Sequence, residues 1–124
     1  MKHLKLLVVT RTGMDRDLIR GFLDRADYRL VFAATGKEAI DTLRYNPGFD
    51  LVLADVSLPG PGGAEISAAI RSVNAYVPLI GITAYPVDWV LKQNGGQGVD
   101  SWLLKPFGRG ELEKAVWKVM TRVA

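Results

Sequence analysis

At 124 residues, with 48% hydrophobic and 23% charged content, the chain carries apolar material for one core and too little for a second. It has no cysteine, which excludes a disulfide framework and a thiolate metal centre and is compatible with a reducing cytoplasmic setting. The net charge of +3 is scattered, no basic-aromatic stripe speaks for direct nucleic-acid binding, and the apolar run after Met1 is too short for a signal peptide or membrane span.

The first strand is predicted over residues 4–9, where Leu6, Leu7, Val8 and Val9 form a continuous apolar run ending in Thr10, Arg11, Thr12 and Gly13. Thr12 can cap a helix with Asp15 in its first turn; Ile19, Phe22 and Leu23, with Met14 and Leu18 beside them, are its expected inward face. A second strand is expected over residues 30–34. Thr35 followed by Glu38 is a capping-box pattern, opening a helix to about Arg44 with Ala39, Ile40 and Leu43 inward. Asn46-Pro47-Gly48 ends it.

The third strand holds Leu51, Val52, Leu53 and Ala54 and stops at Asp55, followed by Pro59, Gly60, Pro61, Gly62 and Gly63. A helix should begin near Ala64 and run to about Asn74, with Ile66, Ala69, Ile70 and Val73 at helical spacing. A fourth apolar strand over residues 79–83 ends in Thr83-Ala84. The next helix, about residues 87–93, is preceded by Pro86 and cut short by Asn94-Gly95-Gly96-Gln97-Gly98, which makes it the expected loosest element. A fifth strand over residues 101–104 is closed by Lys105-Pro106-Phe107. The last helix, from Glu111 to about Val123, should bury Leu112, Val116, Val119, Met120 and Val123, with Glu111 and Glu113 near its positive end and Lys118 and Arg122 near its negative end.

Five apolar strands alternating with five helices predict a single domain over residues 1–124, a doubly wound (βα)5 unit with its parallel sheet covered on both faces. In such folds ligands bind beyond the carboxyl ends of the strands. Asp55 stands at one of those ends, where it either caps a turn or faces the crevice.

Asp55, Pro59, Gly63, Thr83 and Lys105-Pro106-Phe107 at these intervals resemble the receiver domain of two-component response regulators, along essentially the whole chain. The resemblance implies a flavodoxin-like fold with strand order 2-1-3-4-5. It implies that Asp55 accepts a phosphoryl group, that Lys105 neutralises it, and that the Lys105-Pro106 bond is cis. Leu58-Pro59 stands where the family usually has Met-Pro. Thr83, beside Ala84, takes the place of the hydroxyl that swings to the phosphoryl oxygen, and Trp102 takes the aromatic switch position. Such a domain is a signalling module, at most phosphorylating itself from a phosphodonor.

The resemblance also implies Mg²⁺, held by two acids at the end of the first strand, by the acceptor carboxylate and by a carbonyl that here belongs to Ser57. The acidic pair falls on Thr10 and Arg11, so only Asp55 and the Ser57 carbonyl remain and Mg²⁺ coordination is in doubt. Arg11 is expected to pair with Asp55 as a fixed cation and take over the metal's electrostatic role; the alternative is that it points to solvent. Asp15 is expected to belong to the start of its helix rather than to replace a metal ligand.

The implied partners are a histidine kinase or phosphotransfer protein. Downstream proteins or a second copy would dock on the face made by the fourth helix, fifth strand and fifth helix, to which Trp89 and Trp117 could add apolar surface. The chain is expected to be a stand-alone regulator or a piece of a longer protein. A flavodoxin-like carrier of FMN is the alternative, with Thr10-Arg11-Thr12-Gly13-Met14-Asp15 as its phosphate loop.

Overall fold

The computed structural model describes residues 3–24, 27–56, 61–92 and 98–122. Strands β1 (Leu4–Val9), β2 (Tyr28–Ala33), β3 (Leu51–Asp55), β4 (Leu79–Thr83) and β5 (Ser101–Leu104) alternate with helices α1 (Gly13–Phe22), α2 (Gly36–Tyr45), α3 (Pro61–Val73), α4 (Val87–Lys92) and α5 (Arg109–Arg122). The sheet is parallel, in the order β2-β1-β3-β4-β5.

Strand alternation sorts the core into two layers. Leu6, Val8, Leu51, Leu53, Ile80 and Ile82 pack with Ile19 and Leu23 of the first helical layer and with Leu112, Val116 and Val119 of α5. Their alternates Leu7, Val9, Val52, Ala54 and Leu79 pack with Ala39, Leu43, Ile66 and Ile70 from α2 and α3. Covered on both faces, β3 and β4 are buried at every position, which is why they read as unbroken apolar runs.

Three boundaries differ from expectation, each for a local reason. The second strand lies at Tyr28–Ala33 rather than 30–34, because its limits follow the ladder to β1, from Leu4↔Tyr28 to Val9↔Ala33. The third helix starts at Pro61, three residues before Ala64: proline at a first helical position loses an N–H that would have no intrahelical partner anyway. The last helix begins at Arg109, since Gly108 accepts the Leu112 N–H at 3.1 Å and donates its own to Glu111 Oε1 at 3.0 Å, making Glu111 the reach-back residue of a cap. Gln93 and Val123, placed in helices by the sequence, lie outside the described residues.

The inward face of α1 also differs. Ile19 and Leu23 are buried and Phe22 packs against the core, but Met14 is 82% exposed and Leu18 40%. Stepping back three or four residues from Ile19 reaches Arg16 and Asp15, not Met14. The stripe therefore enters the helix through two charged residues.

Of the described part of α4, Val90 is buried while Asp88, Trp89, Leu91 and Lys92 are exposed. So short a helix is marginal without tertiary packing. Its amides are expected to exchange faster than those of α5 in hydrogen-exchange measurements; equal protection would contradict this.

Candidate functional site

The carboxyl ends of β3, β4 and β5 lie side by side, so Asp55, Thr83 and Lys105 emerge at one edge of the sheet. The Lys105 N–H donates to the Thr83 carbonyl at 2.7 Å, and the Lys105-Pro106 bond is cis. Beyond the strand, the Lys105 ammonium donates to Asp55 Oδ2 at 2.7 Å. Asp55 is 7% exposed, and this contact supplies a counter-charge to a carboxylate largely removed from water.

The same ammonium donates to Asp15 Oδ2 at 2.8 Å. Thr12 sets this up: it caps α1, its hydroxyl accepting the Asp15 N–H at 3.1 Å, and the helix phase then turns the Asp15 side chain inward. Asp15 thus both belongs to the helix start and reaches the pocket, a second role absent from the sequence-based expectation. The available signal was the inward stripe continued back from Ile19.

Burial on its own would raise the Asp15 pKa, but the hydrogen bonds from Lys105 and Thr12 and the Lys105 charge outweigh it and hold the carboxyl below its ordinary value. For Lys105, burial works to lower the pKa, yet the bonds and charges of Asp15 and Asp55 prevail and raise it. The Asp15 contribution is present above pH 3.8 and fades as pH falls through the lowered pKa. That of Lys105 is present below pH 10.5 and fades as pH rises through the raised one. The clamp is therefore intact across the neutral range.

Thr83 is fully buried, and its hydroxyl is engaged locally, accepting the Tyr85 N–H and donating to the Tyr85 carbonyl, both at 3.0 Å. The Tyr85 ring in turn packs on Trp89, centroids 4.8 Å apart. Trp102 is partly buried against the α2–α3 side of the sheet. Its ring lies over Gly81, where an added Cβ would sit 3.2 Å from ring carbons. Trp89 is 39% exposed and Trp117 69%. Ala84 and Pro106 are exposed at the same edge. Ser57, with Leu58, Pro59 and Gly60, lies outside the described residues.

Thr10 is 2% exposed, one step beyond the Val9↔Ala54 pair and so beside Asp55; its hydroxyl makes no hydrogen bond among the described residues. Arg11 behaves differently. Continuing the alternation of Leu7 and Val9, it falls on the α2–α3 side, where it lines a cleft with Gly36, Ile40, Ile66 and Ala69. It is exposed and forms no ion pair among the described residues, so Lys105, not Arg11, is the cation against Asp55.

Mg²⁺ is the metal that the family resemblance implied for this pocket. That ion requires oxygen ligands in near-octahedral geometry, carboxylates among them. The end of β1 offers a neutral hydroxyl and an outward guanidinium, an ammonium binds both pocket carboxylates, and among the described residues no three acidic or imidazole groups come together.

Comparison with known proteins adds an independent line. A model of the response regulator receiver domain matches residues 6–117. The transcriptional regulatory protein ResD of Bacillus subtilis is 32% identical over 120 residues, 97% of this chain and 49% of that protein. Sensor histidine kinase AruS of Pseudomonas aeruginosa is 31% identical over 124 residues, again 97% of this chain but 12% of its own length. Among solved structures, chemotaxis response regulator CheY4 of Vibrio cholerae aligns with a TM-score of 0.82 at 28% identity, covering 95% of this chain and 99% of that one. The chain spans about half the length of the Bacillus regulators it matches.

Proposed function

The chain belongs to the response regulator receiver domain family, and from that premise we propose that residues 1–124 act as one receiver module in which Asp55 accepts a phosphoryl group slowly and without requiring Mg²⁺. The observation that carries this reading is the Lys105 ammonium 2.7 Å from Asp55 Oδ2 at the carboxyl edge of the sheet. An Asp55 oxygen attacks the phosphorus of a phosphohistidine or small acyl phosphate. The bond from phosphorus to the donor's nitrogen or oxygen breaks, and the donor leaves with the electron pair. A carboxylate is a weak nucleophile toward an anionic group, so the work is positioning and charge neutralisation, which here falls to Lys105.

The donor protein in this reading is a histidine kinase or phosphotransfer protein. Switching runs through Thr83, whose hydroxyl must leave the Tyr85 carbonyl to reach a phosphoryl oxygen; that disturbs the Tyr85–Trp89 contact at the start of α4. Trp102, packed over Gly81 two residues before Thr83 in β4, reports the change. The output face is α4, β5 and α5. β5 is a sheet edge, Leu104 on it is 52% exposed, and a cleft of about 260 Å³ beside it is lined by Trp102, Leu104, Lys114 and Lys118. This face suits a downstream protein or a second copy. The FMN alternative has little support: in its phosphate loop the Asp15 carboxylate would repel phosphate, and that loop leaves the Lys105–Asp55 pair without a role.

The test is exposure to acetyl phosphate followed by intact-mass measurement. One phosphoryl addition is expected in the parent and none in Asp55→Ala; an addition that survives in Asp55→Ala would refute Asp55 as acceptor.

A further inference from the structure

We propose that Asp15 is a positioning residue whose carboxylate pins the Lys105 ammonium against Asp55, making the lysine the pocket's fixed counter-ion in place of a divalent metal. One nitrogen serves both acids, at 2.8 Å to Asp15 and 2.7 Å to Asp55. An ammonium has three donors and no acceptor, so it takes up carboxylate lone pairs that a hard cation would need.

The surroundings act in the same sense. Strand alternation puts Thr10, Asp55 and Lys105 on the side of the sheet covered by α1 and α5, the side to which α1 turns Asp15. Arg11 falls on the other side. Among the described residues the pocket thus sets two carboxylates against the Lys105 ammonium. Lys105 stays charged because its pKa is raised despite burial. The side chain is 23% exposed, and a single partner would leave so flexible a stem free to move; the second carboxylate fixes it. This role concerns the resting pocket and does not depend on whether Asp55 accepts a phosphoryl group.

Mn²⁺ is a suitable probe, its free ion counted by electron paramagnetic resonance with the full chain. The parent is expected to bind weakly. Lys105→Met, which keeps the stem and removes the charge, should bind at least about tenfold tighter, and adding Asp15→Ala to it should abolish that gain. A parent that binds Mn²⁺ as tightly as Lys105→Met, or a double variant as tight as the single one, would overturn the proposal. A second measurement leaves Lys105 in place: its side-chain ammonium should give a slowly exchanging NMR signal in the parent, lost in Asp15→Ala and recovered in Asp15→Glu. Persistence of that signal in Asp15→Ala would overturn the positioning role even if the methionine variant did not fold. Neither readout involves phosphorylation, so a failure here and a failure of the acceptor reading remain distinguishable.

Discussion

Arg71→Ala is expected to lower the unfolding free energy by about 3 kcal/mol, a fall in Tm of roughly 10 °C for a chain of this size. At the end of α3 this guanidinium donates through Nε to the Gly98 carbonyl at 3.0 Å and through Nη1 to the Val77 carbonyl at 2.6 Å. Through Nη2 it reaches the Gly98 carbonyl again at 2.6 Å and Asp100 Oδ2 at 3.0 Å. Asp100 Oδ2 also accepts the Leu79 N–H at 2.8 Å, where β4 begins. One side chain therefore ties the end of α3 to the approaches of β4 and β5. Gly98 has φ +81°, and a Cβ there would meet Arg71 Nε at 2.9 Å, so the backbone comes close because this residue has no side chain. Alanine leaves the Val77 and Gly98 carbonyls without these donors. Lysine should rescue poorly, since an ammonium cannot span a fork. Denaturant unfolding provides the check; a loss below about 0.5 kcal/mol would reduce Arg71 to an ordinary surface residue.

Lys105→Met should slow phosphoryl acceptance by about a hundredfold, the scale for removing one charge-stabilising donor from a reaction centre. In the parent the ammonium stands 2.7 Å from the carboxylate of Asp55, the proposed acceptor, where negative charge from a donor would have to approach. Without it, Asp15 and Asp55 confront the incoming phosphoryl group with the ammonium that bridges them removed. Some stability should be lost as well, so the rates are to be compared at a temperature where circular dichroism shows both proteins folded. Acceptance at the parental rate would show that the lysine is not the neutralising group.

How much of this was legible in sequence depended on how far each residue's role is local. β3, β4 and β1 from Leu6 onward could be read to their ends because burial on both faces leaves continuous apolar runs with sharp stops, whereas β5, at the sheet edge, was bounded by the Lys105-Pro106 stop that follows it. At the sheet edge, with Arg29 exposed, β2 takes its limits from its partner's ladder, which its own residues do not encode. Pro61 looked like part of a turn because proline serves both turns and helix starts.

In the site, the meeting of Asp55 and Lys105 was foreshadowed by their positions at strand ends. Asp15 was harder to see, because its reach depends on helix phase and on a partner ninety residues away in the chain, while apolar Met14 and Leu18 suggested a different inward face. Arg11 could have been excluded as Asp55's partner by period-two alternation. It shares a side with Leu7 and Val9, whereas Asp55 shares one with Leu51 and Leu53.

The most direct test of a pocket neutralised by its own lysine is the rate of acetyl phosphate-dependent mass addition to the parent, measured with Mg²⁺ and again with a chelator in its place. A fixed internal cation predicts nearly equal rates. A rate that collapses on chelation and saturates as Mg²⁺ is restored would contradict the account, since the metal, not Lys105, would then carry the charge.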